Sequence, residues 1–196
     1  MLGFSTLLQP GPVLVGKKVT LRLPRAKDYA EWARLRGESR AFLEPWEPRW
    51  ARDELEQSAW RQRLRRYRSD FANGTGVSFL VFENETGRLA GGITVGNVRH
   101  GVSQAANIGY WMGERFAGRG MMVEAVGLVV DHCFRTLRLH RLEAACIPEN
   151  NRSVRVLEKA GFRREGLLRS YLKINGIWQD HYLYALVADE RPGKAS

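Results

Sequence analysis

The sequence predicts an α+β fold in which a mixed, mainly antiparallel central sheet is flanked by helices. Its periodic segments run strand, helix, helix, three strands, helix, strand, helix, two strands. Short turns join successive strands at Glu85-Thr86-Gly87, His100-Gly101 and Asn175-Gly176, which makes an antiparallel meander and a closing hairpin. This order is not a repeated strand–helix–strand chain. At 196 residues the chain suits one domain with a proper core. The expected boundaries are an N-terminal extension over 1–16, a single domain over 17–188 and a flexible tail over 189–196.

The elements follow in order. Met1 to Gly16 is mildly apolar but holds Gln9, Pro10, Gly11 and Pro12, so neither a signal peptide nor a membrane span is expected there. Lys18 to Leu23 alternates as a strand and stops at Pro24. Arg25 to Glu38 reads as a helix, with Tyr29, Trp32, Ala33 and Leu35 at helical spacing. In Ala41 to Pro48, two prolines exclude regular structure. The bulky Phe42, Leu43 and Trp46 there either pack on the core or line a pocket, with core packing slightly ahead. Asp53 to Ala72 is a second helix with Asp53 as its N-cap, broken by Asn73-Gly74.

Val77 to Phe82, Arg88 to Val98 and Ser103 to Met112 are the meander strands. The helix Val123 to Leu137 gathers Val126, Val129, Val130, Cys133, Phe134 and Leu137, with Met122 before it, on one apolar face. Arg141 to Ile147 is a short strand, and Arg152 to Ala160 a helix closed by Gly161. Glu165 to Leu172 and Ile177 to Val187 form the closing pair.

The formal net charge is +10, from 31 Lys and Arg against 21 Asp and Glu, which favours anionic partners. A phosphorylated cofactor, an acidic substrate and nucleic acid all fit. Arg61, Arg63, Arg65, Arg66 and Arg68 are the densest positive run, either a solvated helix face or a contact for RNA. The two cysteines, Cys133 and Cys146, lie in apolar runs and read as buried hydrophobes in a reducing cytoplasm. No Cys/His spacing suggests a metal.

Ala117-Gly118-Arg119-Gly120-Met121-Met122 lies where a strand hands over to a helix. Glycine lets backbone N–H groups approach an anion closely, and the helix start adds unpaired donors. A phosphate-bearing ligand fits. A dinucleotide-binding reading fails on the antiparallel context, and a nucleotide-hydrolysing loop fails for lack of Gly-Lys-Ser/Thr.

With these elements in place, the chain resembles the GNAT superfamily of acyl-coenzyme A dependent N-acetyltransferases over roughly Val19 to Val187. That family's hallmark is a Gln/Arg-x-x-Gly-x-Gly/Ala loop that binds the coenzyme A pyrophosphate. Arg115-x-x-Gly118-x-Gly120 fits the bare pattern, while Ala117 to Met122 fits the loop's position before its helix and is preferred. The departures at Ala117 and Met122 leave the backbone donors intact. Pro148 to Phe162 resembles the family's Asn-x-x-Ser helix ending in Gly-Phe, and implies an Asn150 contact to the cofactor. Asn150 is also a good N-cap. Phe42 to Pro48, Gly96 to Gly101 and Tyr171 to His181 resemble the ribosomal-protein alanine N-acetyltransferase branch.

The resemblance implies acetyl transfer from acetyl-coenzyme A, without metal, to the N-terminal amine of a ribosomal protein or to another amine. The Trp111 and Met112 backbones are expected along the pantetheine arm and at the oxyanion. Many relatives carry a tyrosine seven positions after the asparagine; here Leu157 stands there, so that acid is absent. Ser153 either donates to the leaving thiolate or caps its own helix. Tyr171 is a second donor candidate, or a wall residue. Glu44 is preferred as base over Glu47 and Glu83, because Glu44 and Trp46 share a loop the resemblance places over the acceptor. Cys146 offers an acetyl-enzyme route, but direct transfer is preferred for lack of an adjacent histidine. Two other functions compete: a GNAT enzyme acting on a small amine, and an idle coenzyme A or RNA-binding module. Ribosome contact through Arg61 to Arg68, no membrane, and a monomer or homodimer complete the expectations.

Overall fold

A computed structural model describes residues 11–190. Its sheet has eight strands: β1 (Val13–Val15), β2 (Val19–Arg22), β3 (Val77–Glu83), β4 (Leu89–Arg99), β5 (Ala105–Met112), β6 (Arg141–Cys146), β7 (Arg163–Ile174) and β8 (Ile177–Val187). Their spatial order is β1-β2-β3-β4-β5-β6-β8-β7. Every neighbouring pair is antiparallel except β5 and β6. The predicted mixed, mainly antiparallel sheet is thus the observed one. The helices are α1 (Tyr29–Glu38), α2 (Arg40–Leu43), α3 (Gln57–Ala72), α4 (Met121–Arg135) and α5 (Asn151–Lys159).

β3 is buried along nearly its whole length, as a strand with helices over both faces must be. Side chains alternate across a strand, so the register assigns each face. Phe79, Ile93 and Tyr110 are paired neighbours across β3, β4 and β5. Phe79 meets His132 of α4 edge-on, and Tyr110 reaches Ser153 of α5. That face carries α4 and α5. One residue along, Leu80, Gly92 and Trp111 form the next row, and the guanidinium of Arg36 from α1 lies 5.0 Å from the Trp111 ring. The opposite face therefore carries α1, and α3 packs beside it through Trp32 and Trp60, with ring centroids 4.8 Å apart.

Four expectations shift. The segment 1–16 was expected to be an extension, yet Val13–Val15 pairs with β2 and belongs to the sheet; residues 1–10 lie outside the described residues. At the other end, Ala188–Glu190 is a turn of 3-10 helix, and 191–196 lie outside the described residues. The second helix begins at Gln57 rather than Asp53, with Glu56 as N-cap, because residues 51–56 close on themselves in turns. The proline-bearing stretch is helical in short pieces, α2 and then a 3-10 turn over Glu44–Trp46. Pro45 sits in a first helical turn, where its missing N–H has no partner to lose.

α5 follows its sequence closely. Asn150 accepts the Ser153 N–H, and at the far end the Phe162 N–H reaches the Leu157 carbonyl across Gly161, whose φ is +92°.

Candidate active site

β5 and β6 run side by side only from Ala105–Arg141 to Asn107–Glu143. Beyond that the two strands part, and a cleft of about 520 Å³ opens between them. β5 keeps its β4 partner through Met112, so its other edge, from Ile108 onward, presents backbone groups to the cleft. The cleft passes through the sheet, because its lining comes from both faces. Tyr110, Ser153 and Leu157 line the α5 side; Trp111, Glu47 and Trp46 line the α1 side.

At the mouth on the α4 side, Ala117, Gly118, Gly120, Met121 and Met122 line the cleft. Gly118 and Gly120 adopt φ of +76° and +77°, a region that costs other residues. α4 starts at Met121, two residues before the expected Val123, with Gly120 as an N-cap that has no side-chain cap bond. The first-turn N–H groups are left to an anion. Met121 and Met122 are buried, and their backbone opens the first turn of α4 at this mouth. Arg119 does not line the cleft: its guanidinium pairs with Glu83 at 2.6 Å, and its carbonyl accepts from Lys18 Nζ at 3.1 Å. Arg115 also faces away, paired with Glu38 at 3.0 Å.

Deeper in, Asn150 and Ser153 both line the cleft. Asn150 Oδ1 caps α5 through the Ser153 N–H at 3.1 Å. The Ser153 hydroxyl is not spent on capping; it lies 2.8 Å from the phenol oxygen of Tyr110. Burial pushes the Tyr110 phenol well above its usual range, so it stays protonated. Cys146 lines the same region, and burial pushes its thiol up to about 11.

On the α1 face, Phe42, Leu43 and Trp46 all line the cleft, so the wall reading of that stretch prevails, and Leu43 is buried in the core as well. Glu47 joins them. Its carboxylate is held by Arg36 through two bonds of 3.1 and 2.5 Å and by Trp50 Nε1 at 2.8 Å. Arg36 itself is buried beside Trp32, Trp50 and Trp111. The Glu47 carbonyl accepts the Asn175 N–H, which fastens the β7–β8 turn to this wall.

Besides the Arg119 side chain, two more predicted residues fall outside. Glu44 is one turn from Arg40 and pairs with it at 2.7 Å, away from the cleft lining. Tyr171 is partly exposed and does not line the cleft; its ring meets His181 edge-on at 5.8 Å. Tyr110, Arg36 and His181 are not singled out as site residues by the sequence, and Glu47 is weighed as a base there but placed behind Glu44. Tyr110 was reachable from strand alternation, since it sits one residue from Trp111. His181 was reachable only as part of the Tyr171 to His181 stretch.

Among the described residues no group of acidic, His and Cys side chains is arranged to hold a metal ion. None of their helices is long and apolar enough to cross a membrane.

A sequence model of the acetyltransferase (GNAT) domain matches residues 18–163. The Bacillus subtilis (strain 168) protein named Probable N-acetyltransferase YjcK is 38% identical over 175 residues, spanning 89% of this chain and 97% of the relative. The Escherichia coli (strain K12) [Ribosomal protein uS5]-alanine N-acetyltransferase is 34% identical over 184 residues, spanning 92% and 94%. Among solved structures, Mycobacterium smegmatis RimJ in complex with CoA-disulfide superposes with a TM-score of 0.85 at 38% identity, covering 94% of this chain and 90% of that one.

Proposed function

The chain belongs to the GNAT acetyltransferase family, and from that premise we propose that it transfers an acetyl group from acetyl-coenzyme A to a protein N-terminal amine. An alanine-starting ribosomal protein is the first acceptor to test. The observation that carries this reading is the cleft that pierces the sheet, with anion-binding backbone at one mouth and an aromatic wall on the opposite face. The uS5-alanine relative supports the acceptor, since it matches this chain along almost its whole length.

The residues fit coenzyme A. Backbone N–H groups of Gly118 to Met122 take the pyrophosphate at the start of α4. The free edge of β5 at Trp111 and Met112 pairs with the pantetheine amides, and its N–H groups hold the oxyanion. Asn150 fixes the first turn of α5 and so aims Ser153 at the thioester. Ser153 supplies a proton to the leaving sulfur. Cys146 is a thiol at neutral pH, held so by burial, and a thiol is a poor nucleophile. Transfer is therefore direct. Phe42 and Trp46 receive the acceptor chain, whose α-amino group, with a pKa of about 7.7–8.0, is partly neutral at working pH. The exposed Arg61, Arg65, Arg66 and Arg68 of α3 offer a contact to ribosomal RNA. The two free cysteines fit the reducing cytoplasm as the site of action.

The test mixes protein, acetyl-coenzyme A and a panel of peptides and small amines, and follows thiol release. Turnover on an alanine-starting peptide supports the reading. Turnover confined to small amines sinks it, and coenzyme A binding without turnover on any acceptor turns the protein into a binding module.

A further inference from the structure

The proton that the acceptor nitrogen sheds needs a destination, and Glu44 does not line the cleft. The register points elsewhere. Cys146 pairs with Tyr182, and Ala144 with Tyr184, whose phenol donates to Glu158 of α5 at 3.3 Å. Tyr182 and Tyr184 therefore share the α5 face with Ser153. His181, one residue off that row, projects from the opposite face, the face of Trp111, Glu47 and the aromatic wall. It lines the cleft although only 3% of its surface is exposed.

Its tautomer is set by its neighbour. Nδ1 lies 3.0 Å from the Gln179 carbonyl, and a carbonyl can only accept, so Nδ1 carries the hydrogen. The lone pair of the neutral ring is then on Nε2. Nε2 has no hydrogen-bond partner among the described residues, and the cleft that His181 lines is the space left to it. Tyr171 of β7 braces the ring edge-on from behind. The charged residues lining the same cleft are Glu47, neutralised by Arg36, and Arg152, Arg155 and Lys159 of α5, with the Arg152 guanidinium over Phe42. Asp180, next in sequence, is spent on the Ser170 N–H at 2.7 Å.

Resting on the acetyltransferase reading above, we propose that His181 is the general base for the acceptor amine. The neutral amine attacks the thioester carbon; the C–N bond forms, the C–S bond breaks and its electron pair leaves on sulfur. Nε2 of His181 takes the proton from nitrogen, and the Ser153 hydroxyl gives one to sulfur. The imidazolium then passes its proton to water, and solvent restores Ser153. Base on one face and acid on the other make the proton path follow the cleft through the sheet.

The experiment measures thiol release against pH for wild type, His181→Gln and His181→Ala, with coenzyme A affinity and melting temperature as checks on the fold. Loss of a general base predicts a fall in kcat of about 100-fold or more, with coenzyme A affinity retained. Added imidazole should restore His181→Ala in proportion to its free-base fraction, which a packing role would not produce. Wild-type kcat in His181→Gln across the pH range overturns the proposal. So does a loss that imidazole leaves untouched. A wild-type enzyme active on a small amine but on no peptide overturns the protein-acceptor reading alone, and the same variants on that amine still decide His181. No turnover by wild type on any amine overturns both.

Discussion

The phenol oxygen of Tyr110 and the hydroxyl oxygen of Ser153 stand 2.8 Å apart, joining the middle of β5 to the first turn of α5. The same phenol lies 3.2 Å from the Ser153 carbonyl, to which it can only donate. When the phenol instead donates to the nearer Ser153 hydroxyl oxygen, the serine's own proton is free to turn toward the sulfur. Tyr110 thus positions Ser153 without touching the reacting atoms. Ser153→Ala should lower kcat by about 100-fold, as loss of a general acid does. Tyr110→Phe should lower it by about tenfold, the scale of one net hydrogen bond near 1.4 kcal/mol. Because the pair acts as a unit, the double variant should be no slower than Ser153→Ala. Steady-state kinetics at saturating acetyl-coenzyme A decide it; multiplicative losses would show two independent residues.

Glu44 and Glu47 sit three residues apart and have opposite fates. Glu47 is clamped by buried Arg36, whose side chain is 7% exposed, and by the Trp50 indole. Removing one partner of a buried pair leaves the other charge uncompensated, so Glu47→Ala should cost about 3–5 kcal/mol. At 2–4 °C per kcal/mol, that is a drop in melting temperature of roughly 10 °C. Glu44 forms a solvent-facing pair one helical turn from Arg40. Glu44→Ala should shift stability by less than about 0.5 kcal/mol and leave kcat at the wild-type level. A large kinetic loss in Glu44→Ala would return it to the site.

This contrast marks what the sequence makes legible. Alternation, turn pairs and helix periods are local, and they placed every strand after β1 and all helices but α2 within a few residues. The anion mouth was legible for the same reason: Gly118 and Gly120 act through backbone at a strand–helix junction. Choosing between Glu44 and Glu47 needed Arg36, 11 residues before Glu47 and brought close only by the packing of α1. The roles of Tyr110 and His181 depend on which face of the sheet each occupies. That parity is fixed by pairing with β4, β6 and α5, none adjacent in sequence to both. Asp53 as a cap failed because a turn beyond it, not its side chain, sets where α3 begins.

The mouth of the cleft gives a prediction with a built-in control. A Cβ on Gly118 would meet no protein atom within 4 Å, and φ is +76°. Gly101, in the β4–β5 turn, has the same open surroundings and a φ of +73°. Valine at either site carries a similar backbone penalty, about 1–2 kcal/mol or more. Only at Gly118 does the added side chain occupy the approach to the α4 donors. Gly118→Val should raise the coenzyme A dissociation constant by tenfold or more, and Gly101→Val should leave it unchanged. Calorimetry showing equal affinities would move the pyrophosphate off this loop.

The mouth is also tied to the sheet by a titrating pair. Glu83 ends β3 almost fully buried, and its carboxylate takes the Thr86 hydroxyl at 2.6 Å and the Arg119 guanidinium at 2.6 Å. The Thr86 bond first, then Arg119, holds its carboxyl below the ordinary value of 4.5, while burial opposes. A carboxylate whose folded value is depressed adds stability that is fully present above its unfolded value. That stability is lost as pH falls through the folded one. Wild type and Glu83→Gln should therefore differ in melting temperature by a constant amount from pH 7 down to about 5. Below about 4.5 the gap should close, because the wild-type side chain becomes neutral too. Arg119 carries the loop between Gly118 and Gly120, so releasing it should also weaken coenzyme A binding at pH 7. A melting gap that persists unchanged to pH 3 would mean that the glutamine disturbs packing alone, and the Glu83–Arg119 charge pair would then have no part in holding the mouth.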